Sequence, residues 1–114
     1  MYVESYTYQL LGVVIMIRNF NGNTRQQKEF FDENLGKLGD IKRVTHKRDG
    51  QSVEYETIIE GTEETMLLSG GFSSGYGGEG PNGLVYALTK MGVSNEEARK
   101  YAIESSDVSF VIEF

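Results

Sequence analysis

Cysteine is absent from the 114 residues, which excludes disulfides, thiolate metal sites and a cysteine nucleophile together. Tryptophan is absent too, there is one proline, Pro81, and one histidine, His46, so no second imidazole exists to share a metal. The longest apolar run, Leu10 to Ile17, is broken by Gly12 and falls far short of the roughly 20 residues of a membrane helix. No early basic segment or small-residue cleavage site precedes it, so a secretory signal is not expected and the chain reads as cytoplasmic, with no membrane partner. Positive charge is also short. Eleven Lys and Arg face seventeen Asp and Glu, a formal charge of −6, which opposes the phosphate neutralisation that nucleic-acid binding requires. The nearest basic cluster, Lys42-Arg43 with His46-Lys47-Arg48, is offset within a few residues by Asp49, Glu54 and Glu56.

The length fits a single domain, 1–114, which buries roughly 65% of the surface of its unfolded chain. Tyr2 to Phe20 alternates at first and then runs continuously apolar. One long strand, bent or bulged near Gly12, is the expected reading. Asn19 to Asn23 reads as a turn, after which Thr24 can cap a helix from Arg25 to about Leu38 with an apolar stripe at Phe30, Phe31, Leu35 and Leu38 and a stop at Gly39. Asp40–Lys47 and Val53–Ile59 read as a hairpin around Arg48-Asp49-Gly50-Gln51, and Glu64–Ser69 as a third strand. Leu84, Val85, Leu88 and Met91 fall at helical spacing, Ser94 to Glu97 forms a capping box for a helix to Glu104, and Asp107–Phe114 alternates as a closing strand. The expected fold is α+β: a two-layer sandwich of a mostly antiparallel sheet with helices on one face, in the order β-α-β-β-β-α-α-β. The closing strand is expected beside the first strand or another interior one, or beside a second copy of the chain.

Seven of the 14 glycines lie between Ser69 and Leu84. A glycine-dense turn between a strand and a helix start suggests positive φ, or a close approach of backbone to something else. It also gathers main-chain N–H groups at the positive end of a helix dipole, the arrangement that seats a phosphate or carboxylate. The candidate ligand-binding residues are Gly71, Phe72, Ser73, Ser74, Gly75, Tyr76, Gly77, Gly78, Gly80, Asn82 and Gly83. Amide donors would come from Gly80, Asn82 and Gly83, with stacking from Phe72 or Tyr76 and hydrogen bonds from Ser73, Ser74 and Asn82. The spacing matches neither the nucleoside-triphosphatase loop nor the dinucleotide fingerprint, and Glu79 would repel an anion unless it turns away or meets a ribose hydroxyl. Two plainer readings stand beside this one: a tight structural loop whose aromatics plug the core edge, and a protein contact surface.

Gly75-Tyr76-Gly77-Gly78-Glu79-Gly80-Pro81, followed by Leu84, Ala87 and Leu88, resembles a Gly-Tyr-Gly-Gly-x-Gly-Pro-x-x-Leu motif of small prokaryotic and viral proteins in a domain family with no assigned reaction. The resemblance covers fifteen to twenty residues and implies that the loop is a recurring module leading into a helix. Gly92-Val93-Ser94 to Tyr101 and the closing strand are also similar in architecture to the ending of small bacterial stress-protein domains.

His46 is expected as a surface or ladder histidine, with a general base as the alternative, and the carboxylates as a solvated face without the spacing of a calcium loop; an enzyme would require His46 or a carboxylate cluster facing the loop. Ser73 and Ser74 lack a nucleophile elbow and an evident histidine partner, so no catalytic residue, metal or cofactor is assigned. Arg18, Arg25 and Arg43 matter only if the fold brings one beside the loop, where it would clamp an anion. The expected function is non-enzymatic binding of a phosphorylated small molecule, such as a nucleotide or nucleotide-sugar signal, by a homo-oligomer. The competing class is a small acidic interaction protein, of inhibitor or immunity type, that docks on a basic partner.

Overall fold

The computed structural model of the chain describes residues 2–9, 13–20, 22–49, 54–104 and 109–114. In order, the elements are β1 (Tyr2–Gln9), β2 (Val13–Phe20), α1 (Thr24–Asn34), β3 (Ile41–Asp49), β4 (Glu54–Gly61), β5 (Thr65–Ser69), α2 (Glu79–Lys90), α3 (Asn95–Arg99) and β6 (Phe110–Glu113). A 3₁₀ turn over Leu35–Leu38 prolongs α1, and a π turn over Lys100–Glu104 prolongs α3. The strands form one sheet in the order β1-β2-β5-β4-β3-β6, antiparallel throughout except where β2 and β5 run parallel. The α+β sandwich is the expected architecture, and the β3-β4-β5 meander is present as read.

Period-two alternation sets the layers. Along β4, Tyr55, Thr57 and Ile59 are buried while Glu56, Ile58 and Glu60 are only partly covered. Ile17, Val44, Ile59, Met66 and Leu68 of the sheet share one core with Phe30 and Phe31 of α1, Leu84 and Leu88 of α2, and Ala98 and Ala102 beyond. The helical stripe therefore lies where its spacing placed it.

Three local expectations are corrected. The first strand is two: Tyr2 pairs with Phe20 and Gln9 with Val13, so the alternating segment is a marginal strand and the continuously apolar one lies inside the sheet between β1 and β5. The bend expected at Gly12 lies outside the described residues. The cap of α1 is Asn23, whose side chain accepts from Gln26 N–H while Gln26 accepts from Asn23 N–H, and Thr24 is already helical. Arg48 and Asp49 continue β3 rather than turning, and the rest of that turn falls outside the described residues. The closing strand pairs with β3, Val44 against Ile112 and His46 against Phe110, so of the expected neighbours it takes another interior strand rather than the first.

One glycine decides how the meander meets α1. A Cβ on Gly61 would run into the Leu38 carbonyl, which already accepts from Glu63 N–H at 2.9 Å. Gly36 faces open space. Gly61→Ala should therefore lower unfolding stability by roughly 2 kcal/mol or more, and Gly36→Ala should leave it unchanged or raise it by about 0.5 kcal/mol, both read from urea midpoints. Equal effects of the two substitutions would contradict this contact.

Candidate functional site

The glycine segment leaves β5 and is fastened almost at once. Gly70, at φ 95°, donates to the Tyr55 carbonyl at 3.0 Å. The Gly71 N–H donates to Gln27 Oε1 at 2.9 Å, and its carbonyl accepts from the Thr24 hydroxyl at 2.7 Å. Gln27 is itself buried, and its Nε2 donates to the Ser69 carbonyl at 2.6 Å and to Asn19 Oδ1 at 3.1 Å. Gly75, at φ 92°, donates to the Ala102 carbonyl at 2.8 Å.

These bonds engage the amides of Gly70, Gly71 and Gly75 within the fold. The helix begins at Glu79, so Gly80, Asn82 and Gly83 are helical, and Asn82 N–H is bonded to the Gly78 carbonyl at 3.0 Å. Only Glu79 and Gly80 keep first-turn amides without an intrahelical acceptor, because Pro81 has no N–H. Phe72 is 1% exposed and belongs to the core, so it offers no face to a ligand. Gly83 has no side chain because that ring lies against it, and Gly80 has none because Ser73 does. Ser73 is buried with its hydroxyl 2.7 Å from that of Tyr76. Tyr76 remains outside, 49% exposed, beside Gly77 and Gly78.

His46 is the residue that sequence reasoning misplaced. It is fully buried, with Nδ1 2.9 Å from Thr57 Oγ1 and Nε2 2.9 Å from Ser74 Oγ. Its ring stacks between Phe110, 5.1 Å away, and Tyr55, 5.9 Å away. Its place two residues after Val44 was the available signal, since period two puts both on the core face. The fold thus gives Ser74 the histidine partner that the linear sequence does not show. With Nδ1–H donated to Thr57, Nε2 accepts the Ser74 proton, the first half of a serine nucleophile's relay. The other half is missing. Ser74 is 1% exposed, no substrate reaches it in this conformation, and a threonine hydroxyl does not stabilise an imidazolium as a carboxylate does. The pair is a joint between the sheet and the loop. Gln27 was missed likewise, although 27, 30, 31 and 34 fall on one helical stripe and all four residues are buried.

The open concavity lies next to the loop, between the N-terminal halves of α1 and α2. It measures about 490 Å³, and its walls carry Thr24, Arg25 and Lys28 from α1 and Asn82, Gly83 and Tyr86 from α2. Glu29, Asp32 and Glu79 stand at the same walls. Arg25 is exposed and lies 3.5 Å from Glu29, a weak and exchangeable pair. The Tyr86 hydroxyl donates to both Asp32 oxygens, at 2.6 and 2.8 Å, and this bond raises its pKa above the ordinary value. Lys28 Nζ sits 4.4 Å from the Tyr86 ring centroid. Of the three arginines singled out, Arg25 is the one beside Asn82 and Gly83. Arg43 bonds Glu113 at 2.7 Å, and Arg18 lies over the Phe20 ring.

Burial lowers the His46 pKa from 6.5 to about 4. The unfolded chain takes up this proton near pH 6.5 and the folded chain only near 4. Stability from this group is thus complete above pH 6.5 and is lost as pH falls toward 4, by about 3 kcal/mol in all. Urea midpoints should show this acid slope, and His46→Gln should be less stable at pH 7 yet lack that share of it. Identical slopes for both proteins would mean that His46 is not held neutral. Gln27→Leu should cost roughly 2–3 kcal/mol at every pH, because it strands the Gly71 N–H and the Ser69 carbonyl; a cost under half of that in the same titrations would show those groups finding other partners.

Searches against protein-family models, curated proteins and solved structures find no match to this chain.

Proposed function

We propose that the protein is a cytoplasmic, non-enzymatic receptor that captures a phosphorylated small molecule, of nucleotide or nucleotide-sugar type, in the groove between α1 and α2. The observation that carries this reading is the charge at the start of α1. Its first turn holds no acidic residue, and Arg25 and Lys28 face the groove from the helix end where the macrodipole favours anions. Arg25, in that first turn, is unfavourable there by roughly 0.3–1 kcal/mol, a strain that a bound phosphate reverses into attraction.

Other features fit the same ligand. The groove volume lies within the range of small-molecule sites. Thr24 and Asn82 supply neutral hydrogen-bonding groups, and Tyr86 supplies an aromatic wall. Glu79 and Asp32, which would repel a second phosphate, suit the hydroxyls of a sugar. The glycine segment acts here as the support that sets α2 against α1, so its residues reach the ligand through Glu79, Asn82 and Gly83.

Calorimetry against a panel of nucleoside phosphates and sugar nucleotides tests the reading. Binding should weaken at least roughly tenfold in Arg25→Ala and in Lys28→Ala, and more steeply at low salt. Gly78→Val separates this groove from a loop cradle, since a side chain there meets only the Tyr76 ring. The groove reading expects the variant to keep its affinity. Loss of binding in Gly78→Val with full retention in Arg25→Ala would return the site to the loop, and no binding across the panel would end the proposal.

A further inference from the structure

β6 is four residues long and forms one margin of the sheet. Phe114 N–H donates to the Lys42 carbonyl at 3.0 Å, and the register sets Ile112 against Val44 and Phe110 against His46. In an antiparallel ladder a residue turns its N–H and C=O to the same neighbour, and successive residues alternate. Phe110, Ile112 and Phe114 therefore face β3, whereas Val111 and Glu113, with Ser109 before them, turn their main-chain groups outward. Among the described residues the large apolar side chains left exposed are Tyr76, Val111 and Phe114, and the last two belong to this margin. Among the described residues no further strand pairs with this margin, and an unpaired apolar margin is a template for another strand.

We propose that β6 pairs with β6 of a second copy of the chain, antiparallel about a two-fold axis through Val111, joining the two sheets into one. A two-fold contact must be self-complementary, and this register is. Val111 meets the partner's Val111 on the axis, and Phe110 meets the partner's Ile112. The outward groups of Ser109, Val111 and Glu113 all find acceptors and donors.

Charge selects the same register. On the sheet face away from the helices, Arg43 lies beside Glu113 and bonds it at 2.7 Å. By the same register Lys47 lies beside Ser109. Pairing through Val111 sets Glu113 against the partner's Ser109, with the partner's Lys47 next in the row. The row then reads Arg43, Glu113, the partner's Ser109, the partner's Lys47: a carboxylate between two cations, with a small side chain leaving room. A hollow of about 670 Å³ opens at that place, bounded by Thr45, Lys47, Arg48, Ser109, Phe110 and Val111. The partner's Glu113 enters it. An axis through Ile112 instead would bring the two Glu113 carboxylates together diagonally and leave Lys47 without a counter-charge.

Sedimentation equilibrium of the full chain, from micromolar to ~1 mM, is the test. A reversible dimer is expected. Val111→Pro removes an outward N–H and touches no bond to β3, so it should weaken the dimer at least roughly 100-fold while circular dichroism and the thermal midpoint stay the same. Lys47→Glu should weaken it several-fold, and Lys47→Glu combined with Glu113→Lys should restore it. The charge pair decides the matter if the proline variant proves unstable. A chain that stays monomeric at the highest concentration, or a dimer indifferent to both sets of substitutions, overturns the proposal.

Discussion

One buried imidazole ties together parts of the chain that are far apart in sequence. His46 of β3 is bonded to Thr57 of β4 and to Ser74 of the glycine segment, and it stacks on Tyr55 of β4 and Phe110 of β6. Tyr101 of the π turn packs on Phe110 in turn, 4.8 Å between ring centres. Both ring nitrogens have partners, so a polar group sits in the interior without the desolvation cost of an unmade hydrogen bond. The condition is that the ring stays uncharged. The position of the segment between β5 and α2, and with it the angle at which α2 meets α1, depends on that condition.

The glycines of this segment follow from the same constraint. Gly71 admits the Gln27 amide, Gly80 admits Ser73, and Gly83 admits the Phe72 ring against Thr24. They are places where other groups come close to the backbone, and those groups belong to the protein itself. The groove proposed for a ligand lies about one helical turn away, lined by Arg25 of the first turn of α1 and Lys28 of the second. Architecture and candidate site thus share a border at Glu79, Asn82 and Gly83 rather than a common set of residues.

Much of the fold was legible because the apolar periods are clean. Phe30, Phe31 and Leu38 mark α1, Leu84 and Leu88 mark α2, and the alternation of β4 marks its buried face. Errors arose where two local signals compete. Gly12 in an apolar stretch suits a bulge in one strand as well as a break between two, and only the pairing of Gln9 with Val13 distinguishes them. The dense run after Ser69 has the composition of a phosphate loop and of a close-packed crossing alike, since both require backbone without side chains. The polar core was illegible for another reason: His46, Gln27 and Asn19 stand at buried positions of their periods, and composition alone assigns such residues to the surface. Position within the period outweighs residue type, and a polar residue at an apolar position signals an internal hydrogen bond.

The lone parallel contact among the described strands, β2 against β5, has a consequence for how the molecule comes together. On either side of it the strands pair with neighbours close in sequence, β1 with β2 and β3 with β4 with β5. Met16 and Thr65 meet across it from about fifty residues apart. Gln27 spans the join from the helix side, holding Asn19 on one strand and Ser69 on the other. The two blocks assemble from local contacts, and the entropy of closing long stretches of chain falls on this suture and on the pairing of β6 with β3, where Arg43 meets Glu113. The helix that carries its stitch leaves β2 directly, so α1 docking and suture closure are a single event.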